Sequence, residues 1–424
     1  MTAPSDSSQE SPRARRWAEM EFSDSISWMR AVALAGPAGC GKSTLARELL
    51  PKAVYCPMAT RTAQRAARID PDSLLPNQTE APFLIDDADE APAVCRVVAR
   101  LADARPSPGG FVLTTSTDPA AIPEFGPVLG GRLRVVRLRP MTAAEGRGAM
   151  PFFLSRMFAA DFGFAVPEQE AGLERFLALA VRGGLPLATQ AETPKLRAAA
   201  LQGVIETAVR RCAGLQKTRS VRSIQAVFEA IAQSSGSVFN ASELSDLSKS
   251  DPRTVCAYYD ALHSLYFVDS IPACSLVKAA KSPLTFISDS GIMAYLCGIK
   301  STTDRLLRRL PEHSPEITRG LLVTWVYGQI VSEADLTDGI SITHIRTRTG
   351  RLIDLVLERD DGEILAIKVK AATAADKDDF KDLVWLQQSL PEKNVIGIVL
   401  HAGHDVQIES PKLAAIPMSK FWLY

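Results

Sequence analysis

Gly36-Pro37-Ala38-Gly39-Cys40-Gly41-Lys42-Ser43 satisfies the spacing G-x-x-x-x-G-K-[ST]. In such a loop the glycines let the backbone curl until its N–H groups face phosphate oxygens. Lys42 then reaches the β- and γ-phosphates, and the Ser43 hydroxyl coordinates Mg²⁺. These eight residues, with Thr44 after them, are the candidate site for a nucleoside triphosphate. Further on, Pro82-Phe83-Leu84-Ile85-Asp86-Asp87 ends an apolar run in two acids. Asp86 is placed to hold Mg²⁺, usually through water, and Asp87 to orient and deprotonate an attacking water. Thr114, Thr115 and Ser116 close another apolar run. They either contact the γ-phosphate or cap the strand end with small hydroxyls.

Chemistry of this kind needs an α/β scaffold, and the pattern supplies one. Ala31–Ala35 precedes the loop as a strand, and 44–50 follows as a helix whose positive N-terminus faces the anion. Strand-like runs at 31–35, 83–86, 111–115 and 133–138 alternate with helical stretches at 43–50 and 91–104, which predicts a mainly parallel sheet. The core is expected over 23–140, after an aperiodic, disordered tail at 1–22. A helical lid is expected over 141–218, broken by Gly183-Gly184-Leu185-Pro186.

Residues 219–275 predict three short helices and a small β wing, a winged-helix-like unit. Asn240 with Glu243 reads as a helix start, as does Asp251-Pro252. In a DNA reader the third helix would present Arg253, Thr254, Ala257 and Tyr258 to a groove. Asp251 and Asp260 on the same helix oppose phosphate, leaving packing or oligomerisation as the other role. A second α/β domain is expected over 276–424, with strands near 342–346, 352–357, 364–369 and 395–400 and helices over 320–333 and 375–389.

At 424 residues the chain predicts two or three domains. Lys plus Arg equals Asp plus Glu at 48 each, so no global basic field attracts nucleic acid or an anionic membrane, and any DNA contact is local. Seven scattered cysteines without a C-x-x-C pair predict a reducing compartment, no disulfide framework and no zinc site. His401 and His404 read as a solvated turn rather than a metal pair. Met1–Arg16 holds no apolar leader and nowhere do 18 apolar residues run together, so no membrane partner and a cytoplasmic location are expected.

Further segments carry a resemblance. They are Gly130-Gly131-Arg132-Leu133 leading to Pro140-Met141-Thr142-Ala143-Ala144-Glu145, then Gly183-Gly184-Leu185-Pro186, then Ser288-Asp289-Ser290-Gly291-Ile292, and Arg346-Thr347-Arg348-Thr349-Gly350 with Asp354 and Lys370. Together with the phosphate loop and acidic strand they resemble a prokaryotic family of AAA-like ATPases. That family carries a C-terminal domain of unknown function, itself similar to the restriction-endonuclease fold. The resemblance implies ATP with Mg²⁺, and Arg132 either senses the γ-phosphate from a neighbouring surface or is a salt-bridged strand residue. Asp87 stands where many hydrolysing relatives carry glutamate, and its shorter reach predicts slow hydrolysis.

In the C-terminal domain Asp354 and Lys370 match the nuclease pattern, but Lys368, Leu352 and Thr324 replace its other acids. An ammonium beside the site repels Mg²⁺, so Asp354 and Lys370 are expected to be the remnant of a site that no longer cleaves. The expected function is an ATP-binding protein, a slow Mg-dependent ATPase whose nucleotide state regulates a protein partner or a homo-oligomer. The alternatives are a DNA-associated regulator in which ATP sets the oligomeric state, and an ATP-gated nuclease.

Overall fold

The apolar run before the phosphate loop is an inner strand of a five-stranded parallel sheet, buried along its whole length. The computed structural model describes residues 15–75, 81–104, 107–123, 125, 129–218, 220–300 and 304–423, without the side chains of 304–306. The sheet comprises β1 (Ala31–Ala35), β2 (Val54–Pro57), β3 (Phe83–Asp86), β4 (Phe111–Thr115) and β5 (Leu133–Arg137), in the order β2-β3-β4-β1-β5. β1, β3 and β4 read as unbroken apolar runs because both faces of the sheet are covered. Since all five strands run the same way, the loop after β1, the acids after β3 and the hydroxyls after β4 share one edge. β2 was not expected. It is a short edge strand ending in a proline, and its outward residues break the apolar pattern.

The tail expected over 1–22 needs correction. Residues 1–14 lie outside the described residues, but Ala18–Trp28 is a helix docked on β1 and β5. Phe22 is fully buried in the cluster that holds Val32 and Leu34, while Arg16 and Trp17 both bond Glu145. Those contacts are distant in sequence, and local periodicity does not reveal them.

Helices Phe153–Phe158, Leu173–Arg182, Pro186–Thr189 and Pro194–Leu215 follow the sheet. The last is capped by the Thr193 hydroxyl, which accepts from the Leu196 N–H at 3.2 Å, with Pro194 at its first position. Helices Val221–Gln233, Ala241–Ser248 and Pro252–Ser264 come next, with an antiparallel sheet of β6 (Ser237–Val238), β7 (Val268–Ile271) and β8 (Leu284–Ile287) in the order β6-β8-β7. β8 pairs with β7 across a long aperiodic connection, so the boundary expected at 275 moves past 287. Asn240 and Asp251 cap their helices as the sequence implied. The groove-facing set does not hold: Tyr258 is 6% exposed and packs in the core, and the Thr254 hydroxyl donates to Asp251. Arg253 stays exposed.

Helices Ser290–Leu296, Asp304–His313 and Pro315–Ala334 lead to a mixed six-stranded sheet. Its strands are β9 (Ile340–Arg346), β10 (Leu352–Arg359), β11 (Ile364–Val369), β12 (Val395–His401), β13 (Gln407–Ser410) and β14 (Leu413–Pro417), in the order β13-β14-β12-β11-β10-β9. Helix Lys381–Ser389 starts later than expected and covers one face, and Pro315–Ala334 lies on the other. One apolar cluster runs from Leu34 through helices Phe153–Phe158, Leu173–Arg182 and Pro194–Leu215 to Ile367 and Ile398, so the N- and C-terminal parts share a core. His401 is 2% exposed rather than solvated, and its Nδ1 accepts from the Gly403 N–H at 2.9 Å. Among the described residues no helix is long and apolar enough to cross a membrane.

Candidate nucleotide site

The phosphate loop turns on two left-handed glycines, Gly39 at φ +83° and Gly41 at φ +97°. Gly41 is the N-cap of helix Lys42–Leu49, so the helix start points its free N–H groups into the loop. Lys42 is 5% exposed, and its Nζ donates to the carbonyl oxygens of Gly36 and Pro37 at 2.9 Å each. Its charge therefore sits over the loop that would cradle phosphate.

Asp86 is 6% exposed and is held by hydroxyls. Oδ1 accepts from Ser43 Oγ at 2.7 Å and Thr114 Oγ1 at 2.6 Å, and Oδ2 accepts from the Tyr55 hydroxyl at 2.7 Å. Burial first, then Asp86, pushes the Tyr55 hydroxyl up, so it keeps its proton and donates. Hydroxyl donors stabilise the ionised carboxylate without cancelling its charge, and the Ser43–Asp86 pair therefore fits a divalent ion. Thr114 Oγ1 also accepts from the Asp87 N–H at 2.9 Å and so ties the two acids together. Asp87 is left-handed at φ +52°. Burial, then the charges of Asp86 and Asp89, pushes its carboxyl up against Arg211 and Lys42.

The three hydroxyl candidates after β4 separate. Thr114 orients Asp86, and Ser116 lines the cavity and donates its N–H to Asp89 at 3.2 Å. Thr115 turns to the Thr117 carbonyl at 2.6 Å and is structural.

A cavity of about 640 Å³ opens above these groups, a size suited to a nucleotide, with Pro186, Gln190 and Arg211 also in its lining. Arg211 spans it from helix Pro194–Leu215, its Nη1 2.5 Å from Asp89 and its Nη2 2.7 Å from Glu90. Behind the loop, buried Arg16 donates to the carbonyls of Cys40 at 2.9 Å and Arg139 at 2.6 Å, and to Glu145 at 3.1 Å. Glu145 also closes a capping box with Thr142: its Oε2 accepts from the Thr142 N–H at 2.7 Å, and its N–H donates to Thr142 Oγ1 at 3.0 Å. Arg16, Tyr55, Asp89 and Arg211 were not expected. Asp89 and Glu90 were visible as the continuation of the acidic run; the other three carry no local signal.

Three of the resembling segments meet beside this cavity. The Met141 N–H donates to the Gly184 carbonyl at 2.7 Å, and Asp289 accepts from the N–H groups of Gly184 at 2.6 Å and Ile292 at 2.9 Å. A Cβ on Gly184 would stand 2.2 Å from the Met141 oxygen.

Arg132 is not brought to the site. It precedes β5 at the opposite edge of the sheet, where its carbonyl accepts from the Ala31 N–H and its guanidinium pairs with Asp103 at 2.7 and 2.9 Å. Within one chain it is salt-bridged at the turn that enters β5. In the C-terminal sheet Asp354 is 1% exposed, ion-paired with Arg319 and accepting from the Val369 N–H at 2.8 Å. Lys370 pairs instead with Asp376 at 2.7 Å and with Asp379, and Lys368 with Asp382 at 2.8 Å. Among the described residues no group of three or more His, Cys, Asp or Glu is placed to hold a metal ion.

The parallel sheet, the loop after β1 and the acid ending β3 form a P-loop nucleotide-binding domain. Residues 29–146 match the family model of the AAA domain. Residues 173–303 and 320–421 match two domains of unknown function, DUF8612 and DUF4143. Among solved structures, the chain is similar to the Walker-type ATPase PABY2304 of Pyrococcus abyssi at 17% identity and a TM-score of 0.41, covering 68% of this chain and 99% of that one. It is also similar to PH0952 of Pyrococcus horikoshii, a signal transduction ATPase with numerous domains that carries a tetratricopeptide repeat sensor. There the identity is 16% and the TM-score 0.24, covering 75% of this chain and 52% of that one. No curated protein matches the chain.

Proposed function

We propose that this protein is a Mg-dependent ATP-binding switch with slow hydrolysis, in which nucleotide occupancy is read by the lid through Arg211. The observation that carries the reading is the reach of Arg211 from the lid to Asp89 and Glu90, across the same cavity that Lys42 and Ser43 line. An entering triphosphate competes for that guanidinium, so binding exchanges a contact within the protein for one to phosphate and alters how the lid sits. Lys42 exchanges its two loop carbonyls for phosphate oxygens. Ser43 and, through water, Asp86 would hold Mg²⁺, which supplies neutralisation of the phosphate charge.

Asp87 is the base, and the burial and neighbouring acids that raise its carboxyl make it a better proton acceptor than a free aspartate. Its short side chain keeps the rate low. The shared core carries a lid movement to the C-terminal sheet, where a partner or a second copy would sense it. Support for the alternatives is thinner. Of the groove-facing set only Arg253 is exposed, and the carboxylate of the nuclease pattern is neutralised.

Phosphate release from ATP with Mg²⁺, measured for the native protein, Lys42→Ala and Arg211→Ala, tests the reading. Activity lost in Lys42→Ala and altered in Arg211→Ala is expected. Undiminished calorimetric ATP affinity in Lys42→Ala would sink it.

A further inference from the structure

The two ends of the phosphate loop are held in different ways. Its beginning is fixed by the sheet: the Gly36 N–H donates to the Thr115 carbonyl at 3.2 Å, and a Cβ on Gly36 would stand 2.1 Å from the Leu138 oxygen. Its end is held by a side chain. The Cys40 carbonyl accepts from Arg16 Nη1 at 2.9 Å, and the same guanidinium donates through Nη2 to the Arg139 carbonyl at 2.6 Å and through Nε to Glu145 at 3.1 Å. The last two acceptors are themselves fixed, since the Arg139 side chain pairs with Asp269 and Asp335, and Glu145 also accepts from the N–H groups of Trp17 and Thr142. Arg16 is 5% exposed and lines the nucleotide cavity, so the anchor is rigid and close to the loop's inner face.

Holding that carbonyl decides where the next N–H points. A trans peptide is planar with its C=O and N–H directed oppositely, so a Cys40 carbonyl drawn out to Arg16 turns the Gly41 N–H into the loop. Gly41 sits at φ +97°, and glycine adopts either sign of φ about as readily, so nothing in Gly41 itself keeps this peptide from turning over. Turned over, it would offer phosphate a carbonyl oxygen in place of a donor. Lys42 cannot prevent this, because its Nζ bonds the Gly36 and Pro37 carbonyls at the other end of the loop. The Arg16 charge is balanced by Glu145, so its contribution is aim rather than attraction.

We propose that Arg16 is a positioning residue of the phosphate site: it fixes the Cys40–Gly41 peptide so that the Gly41 N–H donates to a phosphate oxygen of the bound nucleotide. The proposal rests on the reading of this cavity as an ATP site. It gives the segment before helix Ala18–Trp28 a part in nucleotide binding.

The test joins calorimetry to peptide-selective NMR. Carbonyl-¹³C cysteine with amide-¹⁵N glycine leaves the peptide signals of Cys40–Gly41 and Cys297–Gly298, and Cys297→Ala identifies the second. In the native protein Mg²⁺-ATP should move the Gly41 amide proton downfield, the mark of a charge-assisted hydrogen bond, and leave Gly298 still. In Arg16→Met that shift should be lost and ATP affinity should fall about tenfold or more, while guanidinium ion added to Arg16→Ala should restore both. Arg16→Met leaves Glu145 buried without its cation, so the measurement is repeated with Glu145→Gln added, and an unmoved Gly298 signal shows that the fold stands. Native affinity in Arg16→Met, or weakened affinity with the Gly41 shift intact, would overturn the proposal. Native protein that binds no ATP would overturn the nucleotide reading, and this role would fall with it.

Discussion

Asp86 and Asp354 are both strand carboxylates with almost no exposure, 6% and 1%, yet their surroundings give them opposite chemistry. Asp86 is satisfied by three neutral hydroxyls from Ser43, Thr114 and Tyr55, while Asp354 is satisfied by the Arg319 guanidinium and a backbone N–H. A hydroxyl stabilises the anion and leaves its field intact; a guanidinium cancels that field and repels a second cation. The neighbouring lysines of the C-terminal sheet are likewise closed by carboxylates, Lys368 by Asp382 and Lys370 by Asp376 and Asp379. The neighbour's charge, rather than the presence of an acid, decides whether a buried carboxylate can serve a metal.

The contrast breaks first at Lys42. Two charge-assisted phosphate contacts at about 1.5–3 kcal/mol each mean that Lys42→Ala lowers ATP affinity on the order of a thousandfold by calorimetry. On the other side, Arg319→Ala leaves Asp354 buried without its cation. Urea unfolding should show a loss of about 3 kcal/mol, largely recovered when Asp354→Leu is added; a neutral Arg319→Ala would mean that Asp354 is not held by charge.

Glu333 sharpens the picture as a buried acid with no cationic partner among the described residues. Its carboxylate accepts from the Leu154 N–H at 2.8 Å, and burial pushes its pKa up to about 7. Its folded pKa exceeds the unfolded one, so its contribution to stability is fully present below about pH 4.3 and is lost as pH rises through 7. The unfolding free energy should fall by up to about 3 kcal/mol from pH 5 to 8 in the native protein, and Glu333→Gln should flatten that slope.

Smaller effects follow at the edges of the two sites. Tyr55→Phe removes one of three hydroxyls from Asp86 and should weaken Mg²⁺-ATP binding by about 1 kcal/mol, with little change in ATP affinity when Mg²⁺ is withheld. Arg132→Ala should leave ATP affinity unchanged, since the side chain lies on the far edge of the sheet beside Asp103; a clear loss would mean that Arg132 acts on the site of another copy.

The loop, Asp86 and four of the five strands of the first sheet were legible because each is a contiguous run whose pattern carries its own signal. Tyr55 and Arg211 were not, since they reach their acids from 31 and 122 residues away. The helix Ala18–Trp28 was hidden for the same reason, its order coming from docking on β1 and β5 rather than from its own composition. At Pro252–Ser264 the capping signals located the helix correctly, yet packing chose its inner face and took Tyr258 into the core.

By itself, the sequence determined that this chain carries a phosphate loop and an acidic strand end, because that chemistry resides in adjacent backbone groups and one following side chain. Only the tertiary structure decided which carboxylates sit against hydroxyls and which against a guanidinium, and which arginine lines the cavity over the phosphate loop. The reason is that electrostatic balance acts through space, and its strength depends on distance and burial that no local pattern records.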